Sequence, residues 1–145
     1  MKLIKQGDTV LEWYGDDIMQ ALESERKRAL TESGIEVMGK AVTKIHNVSG
    51  NLANSITYDV MNDGVEIGTN VDYALYVEYG TGIYAEKGNG RKTSWVFKLP
   101  DGTFRRTRGA RPRPFLRPAL DESISRILGF FRDAIERSIR SGGRD

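Results

Sequence analysis

The segment from Arg111 to Pro118 limits the fold more than any other part of the sequence, because it holds three of the chain's four prolines. A proline has no backbone N–H and fixes φ at about −65°, so this segment can form neither an interior strand nor the interior of a helix. We therefore predict a stiff, extended connector. It could place Phe115 and Leu116 either in the core of this chain or in a groove of a neighbouring chain, and the sequence leaves both open.

Two stretches before the connector alternate apolar and polar residues, which is the period of a half-buried strand. The first covers residues 56–67 and is interrupted by Asn62-Asp63-Gly64, and the second covers residues 95–107 and is interrupted by Pro100-Asp101-Gly102. Asparagine, aspartate, proline and glycine favour tight turns. The sequence therefore predicts two β-hairpins, with a short helix over residues 73–79 between them.

Helical periodicity marks both ends of the chain. Apolar residues recur at helical spacing from Ile18 to Ile45, which predicts one long helix. Within it, Gly34 and Gly39 predict a bend or close packing against another element. A C-terminal helix is predicted from about Pro118. Its buried apolar stripe is expected to contain Leu120, Ile124, Ile127, Leu128, Phe131, Ile135 and Ile139.

These elements predict an α+β fold. In it, the two hairpins form a four-stranded, mainly antiparallel sheet that packs against the long N-terminal helix and the C-terminal helix, with the short helix between the hairpins. We expect a single domain over residues 1–145. Within it we expect an N-terminal arm at 1–15, a mobile loop at 81–93 and a frayed tail at 141–145.

Residue usage argues against several classes of chemistry. The 145 residues include no cysteine and only one histidine, His46, which excludes disulfides, thiolate nucleophiles and multi-histidine metal cages. Asp72 and Glu78 flank a predicted helical segment with nothing to fix their separation, so a cap and a partly exposed acid explain them. We expect no enzyme, no cofactor and no metal site. No apolar run is long enough to span a membrane, so we expect a chain made in the cytoplasm with no membrane contact.

Positive charge is concentrated between Gly102 and Leu120. The whole chain has a net charge of +2, but this segment has six arginines and no acid. They are Arg105, Arg106, Arg108, Arg111, Arg113 and Arg117. Arginine favours forked contacts to phosphate or carboxylate, so a DNA backbone and an acidic protein surface are both candidate partners. The third explanation is a solvated basic hairpin that keeps a sheet edge from pairing with another chain.

Three motifs follow one another along the chain. They are Ser49-Gly50-Asn51-Leu52 with Ser55-Ile56, Asp72-Tyr73-Ala74 continuing to Val77-Glu78-Tyr79-Gly80-Thr81-Gly82, and Arg113-Pro114-Phe115-Leu116-Arg117-Pro118-Ala119-Leu120. In this order they resemble the motifs of the tail-component family of long-tailed bacteriophages. The resemblance covers residues 47–120 in motif and the whole chain in element order.

The resemblance implies a virion structural protein of the phage neck with no enzymatic activity. It implies a homo-oligomer, a hexameric ring between the head connector and the tail that acts in tail completion or as a tail terminator, from a chain that can be monomeric when free. The implied partners are a head-completion or connector protein and a tail tube or terminator protein, with DNA passing through the channel.

Candidate contact residues come from these motifs and from the aromatic residues of the second hairpin. The expected subunit or partner contacts are Tyr73, Glu78, Thr81, Trp95, Phe97, Phe104, Phe115 and Arg117, although the aromatic residues could instead fill the core. Arg105, Arg106, Arg108, Arg111 and Arg113 are expected to face DNA in the channel or an acidic partner. Glu78 and Arg117 carry opposite charges and predict an ion pair, within or between subunits. The competing function is a nucleic-acid-binding module that uses the arginines of residues 102–120.

Overall fold

The computed structural model describes residues 2–6, 9–13, 15–45 and 50–142, with side chains described from residue 15 onward. The chain forms two compact units. The first unit comprises Met1–Val37, Tyr58–Ile67 and Glu122–Asp145, and the second comprises Met38–Thr57 and Gly68–Asp121. His46 and residues 143–145 of the predicted tail lie outside the described residues.

Helices and strands follow one another along the described residues in mixed order. They are β1 (Lys2–Gln6), β2 (Thr9–Trp13), α1 (Gly15–Ile45), α2 (Gly50–Ser55), β3 (Thr57–Val60), β4 (Val65–Gly68), α3 (Ala74–Tyr79), a 3₁₀ turn (Gly82–Tyr84), β5 (Trp95–Lys98), β6 (Phe104–Thr107), α4 (Leu116–Asp121) and α5 (Ile124–Gly142). The mixed α+β class, the long N-terminal helix and both hairpins agree with the sequence prediction.

Within the described residues, the strands pair as three separate two-stranded sheets: β1 with β2, β3 with β4, and β5 with β6. The four-stranded sheet that we predicted is therefore wrong, because the two predicted hairpins do not pair with each other. The physical reason lies in β5 and β6, where Trp95 and Thr107 are half-buried and the other side chains are exposed, so this hairpin has no fully buried apolar face to place in a larger sheet. The antiparallel β1–β2 hairpin, in which Lys2 is opposite Trp13, was not predicted.

The β3–β4 hairpin packs on α1 at Gly34. A Cβ atom built on Gly34 would lie 2.6 Å from Cδ2 of Tyr58 and 3.0 Å from Cγ2 of Val65. Only a glycine lets these side chains approach the helix backbone so closely, which confirms the close packing predicted for Gly34. Among the described residues, no atom outside the helix lies within 4 Å of the same position at Gly39, so the structure shows no close packing there.

The C-terminal helix differs from its prediction in two ways. It is divided into α4 and α5, and the stripe that we expected to be buried is largely exposed. Leu120, Ile124, Leu128, Ile135 and Ile139 are between 48 and 61% exposed. Ile127 and Phe131, the other two residues of the stripe, are half-buried. The prediction of a stripe that is buried throughout is therefore wrong.

Small residues form the buried face of α5 instead. Ser123, just before the helix, and Ala134, Ser138 and Gly142 within it are buried. A Cβ atom on Gly142 would lie 2.8 Å from Cα of Ile18 in α1. Small side chains allow two helix backbones to approach closely, so they occupy the contact while the larger residues point away from it.

Ion pairs join the same two helices along their length. Nε of Arg137 lies 2.6 Å from a Glu25 carboxylate oxygen, and Nε of Arg126 lies 3.5 Å from one of Glu36. Residues early in α1 thus contact residues late in α5, so the two helices are antiparallel within the first unit.

Candidate assembly surface

Glu78 in α3 is the buried centre of a hydrogen-bond cluster in the second unit. Its carboxylate accepts hydrogen bonds from three consecutive backbone N–H groups, those of Phe115 at 2.7 Å, Leu116 at 3.1 Å and Arg117 at 3.3 Å. The first N–H groups of a helix have no acceptor within the helix, and a negative charge there is favourable. Glu78 therefore caps α4 and fixes the end of the proline connector.

Arg117 covers this cluster on the solvent side. Its Nε donates to Glu78 Oε1 at 2.9 Å, and its two Nη atoms donate to the carboxylate of Glu86 at 3.0 and 2.9 Å. The guanidinium carbon also lies 4.6 Å from the ring centre of Tyr79. The ion pair predicted between Glu78 and Arg117 is confirmed, and it lies within one chain. We call Glu78, Glu86 and Arg117 the Glu78 clasp.

Hydrogen bonds hold Glu78 in its charged form. Burial alone would raise the pKa of its carboxyl, but the Phe115 N–H, the Arg117 side chain and the next two N–H groups outweigh burial and lower that pKa. The carboxylate of Glu86, followed by that of Glu78, raises the pKa of the Arg117 guanidinium. An ionised carboxylate that already accepts these hydrogen bonds has no proton to donate, so the geometry suits a structural role for Glu78.

The connector runs alongside α3 and the loop that follows it. The Arg113 N–H donates to the carbonyl of Val77 at 2.7 Å, and the Thr81 N–H donates to that of Ala110 at 2.9 Å. Phe115 is only 1% exposed. Of the two placements that the sequence left open, the structure shows Phe115 in the core of its own chain.

Two glycines allow the loop and the connector to meet. Gly82 and Gly109 have φ angles of +59° and +127°, a region that residues with a side chain rarely adopt. A Cβ atom on Gly82 would collide with the Arg108 carbonyl, and one on Gly109 with that of Thr81. The segment that begins the predicted mobile loop is thus held close to the connector.

An aromatic cleft of about 950 Å³ lies next to this junction in the second unit. The rings that line it are Tyr73, Tyr76, Trp95 and Phe97, and Thr81 forms part of its wall. Tyr76 is 63% exposed and Phe97 is 40% exposed. The cleft brings together four of the predicted contact residues: Tyr73, Thr81, Trp95 and Phe97.

The β5–β6 hairpin presents a second, outer face. Val96 is opposite Arg106, and Lys98 is opposite Phe104. Directly opposed residues point to the same side of a hairpin, as do residues two apart, so these four side chains share one face. Phe104 is 72% exposed and Val96 is 54% exposed. The predicted contact residue Phe104 therefore lies away from the aromatic cleft, on an apolar and basic surface.

The predicted arginine group does not act as one cluster. Arg117 belongs to the Glu78 clasp, and the guanidinium carbon of Arg111 lies 5.3 Å from the ring centre of Tyr84. Arg106 and Arg108 line a shallow cleft of about 740 Å³, whose other lining residues are Lys92, Thr93, Ser94 and Thr107. Within residues 15–45 and 50–142, Arg105 and Arg113 form no ion pair.

Tyr76, Glu86 and Val96 were not predicted from the sequence as parts of these surfaces. Tyr76 follows Tyr73 by three residues, a helical spacing that places both on one side of α3 and could have indicated it. Glu86 lies in an irregular loop, where no local pattern predicts that its carboxylate reaches Arg117.

Asp72 and Glu78, which the sequence explained as a cap and a partly exposed acid, line another cleft in the second unit, of about 560 Å³. Glu78 is buried, so the expected partial exposure is wrong for it. Glu78 is engaged in the clasp, and Asp72 lies at the exposed surface. In the described part of the chain, no group of three acidic or histidine side chains is placed to hold a metal ion. Likewise, no helix among the described residues is long and apolar enough to cross a membrane.

Residues 10–80 match a protein family described as "Bacteriophage HK97-gp10, putative tail-component". No curated protein and no solved structure matches the chain. The family match confirms the resemblance that the sequence motifs predicted. It includes the first two motifs up to Gly80, and it ends before the β5–β6 hairpin and the proline connector.

Proposed function

From the phage tail-component family that residues 10–80 match, we propose that this protein is a structural component of the phage neck. Copies of the chain form a hexameric ring that joins the head connector to the tail, in tail completion or as the tail terminator. The ring contacts a connector or head-completion protein on one side and the tail tube or terminator on the other. Its role is mechanical, and no catalytic step is part of it.

The observation that carries this proposal is the exposure of the β5–β6 hairpin. An isolated two-stranded hairpin is at best marginally stable in water, and this one leaves Val96 and Phe104 largely exposed. Exposed apolar side chains grouped on one surface are typical of a site that another protein covers. A closed ring needs heterologous contacts, in which a patch on one subunit meets a different patch on the next, and an exposed hairpin suits such a contact.

The Glu78 clasp supports the same role. It fixes the start of α4 relative to α3, so the connector that follows β6 is anchored at its far end. The exposed β5–β6 hairpin can hold a neighbouring subunit in a defined position only if the segment that follows it is rigid. The buried Phe115 and the Gly82–Gly109 contact add to this rigidity.

A phage that lacks the gene for this chain tests the proposal. Electron microscopy of the lysate is expected to show filled heads and finished tails that are separate, and the wild-type gene supplied in trans is expected to restore joined particles. Joined, infectious virions in the absence of the protein would contradict the proposal.

Two variants connect that experiment to the hairpin. Val96→Ser combined with Phe104→Ser removes apolar contact area from the β5–β6 hairpin. We expect the gene with both substitutions to fail to restore joined particles. The matched control is Leu75→Ser, at a position that is 67% exposed but lies in α3. We expect the control to restore joining as well as the wild-type gene does.

Nucleic-acid binding is the second candidate function, because Lys92, Arg106 and Arg108 line a cleft that has no acidic residue in its wall. Each phosphate contact releases counterions, so such binding would weaken steeply as salt rises. Titration of the purified chain with duplex DNA across salt concentrations distinguishes the two functions. A steep salt dependence from a monomeric chain favours a nucleic-acid module, and weak binding together with assembly on partner addition favours the ring.

A further inference from the structure

Charge is divided unequally between the two units. The first unit contains 15 acidic and 10 basic residues, whereas the second contains 5 acidic and 12 basic residues. The division is sharper along the sequence: residues 45–86 contain six acids and no lysine or arginine, and residues 87–117 contain ten basic residues and one acid. Two copies of the chain can therefore attract each other when unlike units meet.

The acidic surface is the outer face of the β3–β4 hairpin in the first unit. Tyr58 and Val65 lie against Gly34 of α1. Successive side chains of a strand point to opposite faces, so the neighbouring Asp59 and Glu66 point away from α1, and both are exposed. No lysine or arginine lies between residues 57 and 68.

The two outer faces also match in spacing. On β6, the exposed Phe104 near the hairpin turn is followed two residues further from the turn by Arg106. On the other hairpin, Met61 at the turn is 42% exposed, and Asp59 lies two residues further from the turn. Two residues of extended strand span about 7 Å, so an apolar contact and a charge contact can form together.

We propose that the outer face of the β5–β6 hairpin docks onto the outer face of the β3–β4 hairpin of a second copy of this chain. Phe104 packs on Met61 of the next copy, Arg106 pairs with its Asp59 and Glu66, and Lys98 adds positive charge beside this contact. The contact is heterologous, so each copy uses both of its hairpin faces, and successive contacts can close into a ring. This inference rests on the proposed function and names the surfaces that join the subunits.

Charge reversal tests the pairing. One variant carries Lys98→Glu and Arg106→Glu, and a second carries Asp59→Lys and Glu66→Lys. Each alone sets like charges against each other, so we expect self-association, measured by sedimentation velocity and native mass spectrometry, to weaken by about tenfold or more. The matched control, Lys27→Glu with Arg132→Glu, makes the same charge change as the first variant at exposed residues outside the hairpins and is expected to associate like the wild type.

Mixing the two reversed variants is the decisive step. One variant then has two acidic faces and the other has two basic faces, so the mixture is expected to associate at least as well as the wild type, with the two variants alternating. Recovery in the mixture also shows that both variants are folded. At a protein concentration at which the wild type associates, the proposal is wrong if either variant alone associates like the wild type, or if the mixture associates no better than the separate variants.

Because the chain contains no cysteine, introduced thiols report the contact even when association is weak. Phe104→Cys and Met61→Cys in one chain are expected to give disulfide-linked ladders under mild oxidation at high protein concentration, and Leu75→Cys with Met61→Cys is not. Absence of the ladder overturns the docking contact and leaves the neck role standing if the gene deletion still yields separate heads and tails. Joined virions after the deletion remove the neck role, whatever the cross-links show.

Discussion

Removal of the Glu78 carboxylate gives the most quantitative test of the clasp. Glu78→Ala takes the acceptor away from three backbone N–H groups and from Arg117 Nε. The Phe115 N–H is buried, and an unsatisfied buried donor costs about 1–3 kcal/mol. The other donors are partly buried and recover part of their loss from water. We expect the free energy of unfolding to fall by about 3 kcal/mol in total, which lowers Tm by roughly 6–12 °C for a chain of this length.

Urea unfolding followed by far-UV circular dichroism and tryptophan fluorescence measures this loss. Glu78→Gln keeps one acceptor oxygen, and its free energy of unfolding is expected to fall by about half as much as that of Glu78→Ala. Glu86→Ala removes a more exposed partner of Arg117 and serves as the control, with an expected loss of about 0.5 kcal/mol.

A double-mutant cycle with Arg117→Ala isolates the pair. Residues that share one hydrogen-bond network show coupling, and we expect a value of at least about 1 kcal/mol between Glu78 and Arg117. Additive effects of the two substitutions, or a loss in Glu78→Ala no greater than in Glu86→Ala, would refute the clasp as the anchor of the connector.

Three further predictions concern acid stability and the first unit. The pKa of Glu78 is lower in the folded chain than in the unfolded chain, so its charge stabilises the fold fully above the unfolded pKa and ceases to do so as the pH falls through the folded pKa. The difference in unfolding free energy between wild type and Glu78→Gln, measured by urea unfolding, is therefore expected to shrink below about pH 4.5. A difference that does not depend on pH would contradict this. Gly34→Ala is expected to lower the unfolding free energy by about 1–3 kcal/mol, because the added methyl group clashes with the β3–β4 hairpin. Gly39→Ala has open space around it and is expected to raise the unfolding free energy by up to about 1 kcal/mol. Thermal unfolding measures both changes, and equal effects would argue against the close contact at Gly34. Ser138→Leu on the buried face of α5 is expected to lower the unfolding free energy by about 1–3 kcal/mol, and Leu128→Ser on the exposed face by about 0.5 kcal/mol or less. A larger loss in Leu128→Ser than in Ser138→Leu would indicate that the apolar stripe is the buried face.

Most of the features that the sequence predicted correctly are determined by nearby residues. The turn sequences Asn62-Asp63-Gly64 and Pro100-Asp101-Gly102 fix two hairpins, and the helical period from Ile18 to Ile45 fixes α1. The Glu78–Arg117 pair was also found from sequence, because opposite charges stand in two family-like motifs. The hairpin and helix signals each lie within one element, whereas the Glu78–Arg117 pair joins two motifs that are 39 residues apart.

The wrong predictions concern which elements meet. Periodicity shows that α5 has an apolar stripe, but it does not show that Ala134 and Ser138 give a closer contact to α1 than Leu128 would. The four-stranded sheet failed for a similar reason. Hairpin formation depends on local turns, whereas the pairing of two hairpins depends on their surfaces, and β3–β4 uses its apolar face on Gly34.

The candidate assembly surface was predicted in part. Aromatic composition indicated Trp95, Phe97 and Phe104, but their separation onto two faces follows from the strand register, with Val96 opposite Arg106 and Lys98 opposite Phe104. The burial of Phe115 could not be read from the connector sequence, because its proline geometry allows either placement.

A symmetry-resolved cryo-electron microscopy reconstruction of the neck in intact virions tests the central claim most directly. The account predicts six copies of this chain in a closed ring between connector and tail, with the β5–β6 hairpin of each copy against its neighbour. A mature neck that contains no copy of the chain, or copies that touch no other copy, would contradict it.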